Sequence, residues 1–75
     1  MNNEKNSAIP MLFEIMEQKE ISAYRLSKDI GVSQGNISDW KHGNKTPNMH
    51  TLIKLADYFD VSIDYLVGRS DKKEL

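Results

Sequence analysis

The chain of 75 residues contains no cysteine and only two histidines, His42 and His50. Disulfide bridges and thiolate metal sites are therefore excluded. The two histidines lie eight residues apart on different predicted elements, so a zinc site would need carboxylates that the spacing does not supply. We expect no metal and no cofactor, and the lack of cysteine fits a reducing cytoplasm.

Long apolar runs are also missing. No stretch approaches the roughly 20 apolar residues that a membrane-spanning helix requires. The N-terminus, Met-Asn-Asn-Glu-Lys, lacks the apolar segment of a signal peptide. We therefore expect a cytoplasmic protein that does not enter a membrane.

Signatures of catalysis are absent as well. The sequence has no nucleophile elbow and no glycine-rich phosphate loop after a strand. A single domain of this size has little room for a closed pocket of about 300 Å³ or more. These absences predict a binding protein and not an enzyme.

The chain has no strong net charge, with a formal value of −1 and a pI near 6.1. That balance is unusual for a nucleic-acid-binding domain. The charges are nevertheless unevenly distributed, because residues 22–54 contain five basic and two acidic side chains, whereas the remainder carries a net charge of −4. Positive charge is therefore concentrated in the middle of the chain, although solvated helix surfaces alone could also account for this pattern.

That middle segment predicts two short helices joined by a turn. Ser22 can cap the first helix, and Gly31 follows it where a left-handed backbone is needed. Ser33 can cap the second helix in the same way. The apolar residues of both helices and the turn recur at helical spacing, and we expect them to form the core of the motif: Leu26, Ile30, Val32, Ile37 and Trp40. The pattern predicts a helix-turn-helix.

The outer face of the second helix is almost wholly polar. Its residues follow one another at helical spacing: Gln34, Gly35, Ser38, Asp39 and His42. A core does not need such a strip, but the edges of base pairs do. The first four are our candidates for contacts with bases, because Gln can pair with adenine, Ser can donate or accept, Asp can accept from cytosine N4, and Gly permits close approach.

The flanking segments add three more predicted helices. The first covers residues 9–19, with Pro10 tolerated in its first turn, the fourth covers 49–59 after an Asn48 cap, and the fifth covers 63–67 before Gly68. No segment alternates with the period of a strand. We predict an all-α domain over residues 8–68, a flexible arm over 1–7 and a polar tail over 69–75.

The ordered pattern from Ile21 to Pro47 carries a family resemblance. It reads Ile-Ser-x-x-x-Leu-Ser-x-x-Ile-Gly-Val-Ser-x-x-x-Ile-Ser-x-Trp-x-x-Gly-x-x-x-Pro, and the similarity continues through residues 52–66. This pattern resembles the lambda-repressor-like, XRE-type DNA-binding domains of bacterial and phage regulators. The resemblance implies a compact five-helix fold in which helices 2 and 3 form the helix-turn-helix, and it implies binding to double-stranded DNA.

Three positions depart from the family pattern. Ala23 stands where the family commonly has a phosphate-holding glutamine, so one phosphate contact is lost. Met16 and Lys41 stand where the family often has an arginine and glutamate pair. We expect an apolar contact to replace that pair and Lys41 to be free for phosphate, while Met16 could equally be an ordinary core residue.

Residues around the motif are candidates for contacts with the DNA backbone. Tyrosine, the basic side chains and small polar side chains can all donate to phosphate, and the resemblance implies that the loop after helix 3 clamps phosphates. The candidates are Tyr24, Arg25, Asn36, Lys41, His42, Asn44, Lys45 and Thr46. Tyr24 could equally cover the edge of the core.

We predict a sequence-specific repressor that acts as a dimer on an inverted-repeat operator. A domain this small gains from dimerisation, and one short last helix cannot bury all the apolar residues near it. The candidates for the dimer interface are Tyr58, Ile63, Tyr65 and Val67. The alternative hypothesis is an antitoxin or another protein-interaction module whose helices 4 and 5 bind a partner protein, such as a toxin or an antirepressor.

Overall fold

The computed structural model describes residues 6–69. This part of the chain contains five α-helices and no strand. They are α1 (Pro10–Lys19), α2 (Ala23–Ile30), α3 (Gln34–Lys41), α4 (Met49–Phe59) and α5 (Ile63–Leu66). The predicted all-α fold of five helices, with the helix-turn-helix formed by α2 and α3, is confirmed.

Four of the five helices begin at a side-chain cap. Ser22, Ser33, Asn48 and Ser62 each accept a hydrogen bond from the backbone N–H three residues later, at 3.0, 3.0, 2.9 and 3.0 Å. Each such cap stabilises a helix by about 1 kcal/mol, because it satisfies a donor that the helix itself leaves unpaired. The caps therefore fix the starts of α2 to α5 at the residues where the sequence predicts them.

Two helices end at a residue with a positive φ that is not glycine. Glu20 follows α1 with φ 56° and Asp60 follows α4 with φ 57°. In both cases the next residue, Ile21 or Val61, donates its N–H to the carbonyl five positions earlier, at 2.9 and 3.0 Å. A left-handed residue costs roughly 1–2 kcal/mol, which these hydrogen bonds and the burial of Val61 offset.

The core collects one face from each helix. Its buried apolar residues come from all five helices, from the residue before α1 and from the segment between α4 and α5: Ile9, Leu12, Ile15, Met16, Leu26, Ile30, Ile37, Trp40, Leu52, Leu55, Ala56, Phe59, Val61, Tyr65 and Leu66. Val32, in the turn between α2 and α3, is half-buried and packs against this cluster. The core holds α2 against α3 and leaves the outer face of α3 to solvent.

The apolar face of α4 is narrower than its sequence indicates. In the sequence, an apolar face of this helix is predicted from the helical spacing of Leu52, Ile53, Leu55, Ala56 and Phe59. The prediction is wrong for Ile53, because 46% of its surface is exposed. Successive residues of a helix lie about 100° apart, so Ile53 points away from the core when its neighbour Leu52 points inward. Met49, one turn earlier, is also exposed.

The four candidates for the dimer interface differ in burial. Tyr65 is only 5% exposed and belongs to the core of its own domain, whereas Ile63 and Val67 are half-buried at its edge. Tyr58 is also half-buried. Helix α5 itself ends at Leu66, one residue earlier than predicted, and Val67 caps it.

The predicted arm and tail lie mainly outside the described residues. Of the arm only residues 6 and 7 are described, and of the tail only residue 69. Ser7 accepts a hydrogen bond from the N–H of Ile9 at 3.1 Å, next to the start of α1.

Candidate nucleic-acid interface

The exposed N-terminus of α3 forms the centre of the candidate interface. Ser33 caps the helix, and Gln34 and Gly35, its first two residues, are both exposed. A Cβ added at Gly35 would meet only the Ser33 Oγ, at 3.8 Å. The fold therefore leaves open space over the first turn of α3, and the backbone N–H groups there lie at the positive end of the helix dipole.

Ser38 and His42 follow on the same exposed face. The Nδ1 of His42 lies 2.9 Å from the carbonyl oxygen of Ser38 and 3.5 Å from its hydroxyl. Because a carbonyl oxygen can only accept, this contact assigns the hydrogen to Nδ1. In the neutral ring, the outer nitrogen of His42, Nε2, is then an acceptor.

Asp39 connects α3 to the loop that follows it. Its carboxylate Oδ2 lies 3.5 Å from the Nζ of Lys45, and its carbonyl oxygen accepts from the N–H groups of Asn44 and Lys45, at 2.8 and 3.3 Å. The backbone bonds hold the loop against the end of α3. The structure thus places a predicted base-contacting residue, Asp39, in an ion pair with a predicted phosphate-contacting residue, Lys45.

A second ion pair lies on α2. The Nε of Arg25 and the Oδ2 of Asp29 are 3.4 Å apart, one helical turn along the exposed face. The same Oδ2 accepts from the hydroxyl of Tyr58 on α4, at 2.5 Å. This hydrogen bond raises the pKa of Tyr58 above its usual value, because it requires the protonated hydroxyl, and desolvation acts in the same direction. Asp29 therefore links α2 to α4 as well as holding Arg25.

Tyr24, the second residue of α2, is exposed and is not part of the core. More than half of its surface (57%) is accessible, and the Nζ of Lys28 lies 5.3 Å from the centre of its ring. This is the geometry of a cation–π contact at the surface. Tyr24, Arg25 and Lys28 consequently lie together on the exposed side of α2.

An open concavity lies between α3 and the first two helices. Its lining includes Gln34, Gly35 and Ser38 from α3, Ala23 from α2 and Met16 from α1. Lys41 is also in the lining, and it makes no ion pair within residues 6–69. Met16 is buried and belongs to the core, so an apolar side chain occupies the position where the resemblance implies an ion pair.

The remaining candidates for contacts with the DNA backbone are all near the surface. His42, Asn44, Lys45 and Thr46 are exposed, and Asn36 is half-buried. Sequence reasoning missed the roles of Asp29 and Tyr58. The spacing of Arg25 and Asp29 could have indicated their pairing, but no sequence signal connects Asp29 with Tyr58, which lies 29 positions later.

Two features are absent from the described part of the chain. No group of three or more histidine, cysteine or acidic side chains within residues 6–69 could hold a metal ion. In the same range, no helix has the length and apolar content needed to cross a membrane.

The five-helix fold with an exposed polar α3 defines a helix-turn-helix DNA-binding domain. Residues 11–72 match the family of the Cro/C1-type helix-turn-helix DNA-binding domain. The chain therefore belongs to this family, as the sequence pattern predicted, and the family is one of DNA-binding domains and not of enzymes.

Several bacterial and phage regulators are similar to the chain. It is 29% identical over 63 residues to the HTH-type transcriptional regulator AnsR of Bacillus subtilis. The aligned residues cover 84% of this chain and 54% of AnsR. The chain is 29% identical over 58 residues to the uncharacterised HTH-type transcriptional regulator YqaE of the same organism, covering 76% of this chain and 50% of that protein. A further relative is the cryptic phage CTXphi transcriptional repressor RstR of Vibrio cholerae, 36% identical over 45 residues, which cover 60% and 40% of the two chains. The chain spans about half the length of the first two of these relatives.

Proposed function

We propose that the chain binds double-stranded DNA in a sequence-specific manner and acts in transcriptional regulation, as a repressor in the cytoplasm. The observation that carries this proposal is the exposed, polar N-terminal face of α3, where Gln34, Gly35 and Ser38 stand over a buried apolar face. A helix of this kind fits the major groove of B-DNA. The names of the similar regulators and of the phage repressor support the same function.

Four residues of α3 would contact bases. The amide of Gln34 can pair with adenine N6 and N7, and the Ser38 hydroxyl can donate or accept. The carboxylate of Asp39 can accept from cytosine N4, although its charge is repelled by phosphates. Gly35 would allow the backbone of the first turn to approach the groove.

The phosphates on either side of the groove would be held by residues of α2, α3 and the following loop. Lys41 is exposed without an ion pair in the described part of the chain, which leaves its charge available. The exposed side chains flanking α3 can donate to phosphate oxygens as well. The proposed backbone contacts are Tyr24, Arg25, Asn36, Lys41, His42, Asn44, Lys45 and Thr46.

We place the dimer interface beside α5. Ile63 and Val67 are half-buried at the edge of the core, so a second copy could complete their burial. Tyr58, whose hydroxyl donates to Asp29 of α2, is the fourth candidate, and Tyr65 would support the interface from within the core. A symmetric dimer would present one α3 to each of two half-sites about one helical turn apart, so that the operator is an inverted repeat.

A protein-interaction role is the alternative, and one observation favours it. Met49 and Ile53 are exposed apolar neighbours on α4, and an open concavity between α4 and α5 includes Ile53 and Ile63. A toxin or antirepressor could bind there. Co-purification of a stoichiometric protein partner, with no binding to duplex DNA, would favour this alternative.

The salt dependence of binding tests the proposed function. Each neutralised phosphate contributes a slope of about −0.9 to log K against log salt, so three or four cations per half-site predict roughly −3 to −4. Replacing Lys41→Ala should make the slope shallower by about 1, because one phosphate contact is lost. Lys19→Ala is the matched control, since this exposed lysine ends α1 outside the proposed interface. An affinity for duplex DNA that does not depend on salt would contradict the proposal.

A further inference from the structure

The ion pair between Asp39 and Lys45 joins two residues that would contact different parts of the DNA. Asp39 lies on the face that would meet bases, whereas Lys45 lies in the loop that would meet phosphates. The structure pairs the two side chains across 3.5 Å. While this pair persists, Lys45 makes no direct contact with a phosphate and contributes only by cancelling the charge of Asp39.

The backbone keeps the two residues together whatever their side chains do. The carbonyl oxygen of Asp39 accepts from the N–H groups of Asn44 and Lys45, so the start of the Lys45 side chain is fixed beside α3. The long, flexible stem of a lysine can then carry its ammonium group either to the carboxylate or outward to a phosphate. Both positions are available without a change in the fold.

The pair is also weak enough to be exchanged. A distance of 3.5 Å exceeds that of a strong charged hydrogen bond, and 62% of the Lys45 side chain is exposed. Ion pairs of this kind are worth little in water. A phosphate can therefore take Lys45, provided that the carboxylate of Asp39 finds another donor and is not left facing the DNA unpaired.

We propose that Asp39 and Lys45 form an exchangeable pair that couples base reading to phosphate binding. On a site where a cytosine presents its N4 amino group to Asp39, the base takes the carboxylate and Lys45 turns to a phosphate. On a site without that donor, Asp39 keeps Lys45 and the phosphate contact is lost. The pair thus weakens binding to wrong sequences, and the inference rests on the DNA-binding function proposed above.

The experiment is a double-mutant cycle with Asp39→Asn and Lys45→Ala, measured on a random duplex and on a duplex selected for tight binding. Asparagine keeps the size of the side chain and removes its charge, and any substitution keeps the backbone carbonyl that holds the loop. The quantity of interest is the loss of affinity caused by Lys45→Ala in each background.

On the random duplex, Lys45→Ala should weaken binding about two- to fivefold more when residue 39 is asparagine than when it is aspartate, as expected for an exposed pair. On the selected duplex the two losses should be equal within error. Three outcomes would overturn the exchange. The first is a loss that does not depend on residue 39 on either duplex, and the second is a ratio of the two losses that is the same on the random and the selected duplex. The third is a smaller loss with asparagine than with aspartate on the random duplex. No binding by the unmodified chain would instead refute the proposed DNA-binding function itself.

The chain supplies a matched control in its other ion pair. Arg25 and Asp29 are paired at 3.4 Å, but both lie on α2 and not on the base-reading helix. A cycle of Arg25→Ala and Asp29→Asn should give the same coupling on the random and the selected duplex. Sequence-dependent coupling in this control would show that the effect is general to charges near DNA, and would also overturn the inference.

Discussion

Replacing Gly35→Ala separates the requirements of the fold from those of DNA binding. Gly35 is the second residue of α3, and a Cβ at this position would meet only the Ser33 Oγ, at the ordinary contact distance of 3.8 Å. Alanine is favoured over glycine in a helix by about 0.5–1 kcal/mol, chiefly because glycine loses more backbone entropy on folding. No other atom of residues 6–69 outside the helix's own backbone and the neighbouring residues lies within 4 Å of that Cβ, so no clash cancels this gain.

The expected outcome is a more stable protein that binds DNA less well. For a domain of this size, a gain of 0.5–1 kcal/mol raises the melting temperature by about 2–8 °C. The added methyl group would hold the backbone of the first turn away from the groove, at a cost comparable to a lost base contact, about 1–3 kcal/mol. A larger side chain, as in Gly35→Leu, should weaken binding further.

Melting curves and DNA titrations of the same variants give the test. Gly31→Ala is the control for stability, because its φ of 76° strains any other residue and should lower the unfolding free energy by about 1–2 kcal/mol. If Gly35→Ala is more stable but binds with unchanged affinity, α3 does not approach DNA at this position. If it is less stable, the reasoning from the open space around Gly35 is wrong.

Three further predictions follow from the site and the fold. Gln34→Ala should cost roughly 1–3 kcal/mol on the preferred duplex and little on random DNA, and equal weakening of both would show that Gln34 contacts phosphate instead. The hydrogen bond to Asp29 raises the pKa of Tyr58 in the folded state. The bond therefore stabilises the fold fully below the pKa of an unfolded tyrosine, about 10, and this stabilisation is lost as the pH rises through the pKa of Tyr58 in the folded protein. The difference in unfolding midpoint between wild type and Tyr58→Phe should therefore be constant up to about pH 9 and shrink in more alkaline solution, whereas a difference that grows there would contradict the assignment. Sedimentation with a selected duplex should give two chains per duplex, and one chain on a non-palindromic site would refute the dimer.

The sequence predicted the starts of α2 to α5 because each depends on local chemistry, whereas α1 has no side-chain cap and begins at Pro10, one residue later than predicted. Ser22, Ser33, Asn48 and Ser62 cap helices through a hydrogen bond to a residue three positions away, so the cap can be recognised without knowledge of the fold. The end of α2 at Gly31 is local in the same sense. The fold class followed from these boundaries together with the helical spacing of the apolar residues.

Features that depend on tertiary packing were not predictable in this way. The left-handed residues Glu20 and Asp60 carry no glycine signal, and their conformation is held by the hydrogen bond and packing of the next residue. Ile53 looks like a core residue in the sequence, but the direction of its side chain depends on how α4 packs. The pairing of Asp39 with Lys45 depends on the path of the loop, which has no regular spacing.

Selection of bound duplexes from a random pool shows most directly whether the exposed face of α3 reads a DNA sequence. We expect an enriched inverted repeat with half-sites about one helical turn apart, bound about 10³-fold or more tightly than random DNA at physiological salt. The Gln34→Ala variant should select the same repeat with one position per half-site relaxed. A pool that shows no enriched sequence, or one enriched identically by wild type and by Gln34→Ala, would contradict sequence reading by α3.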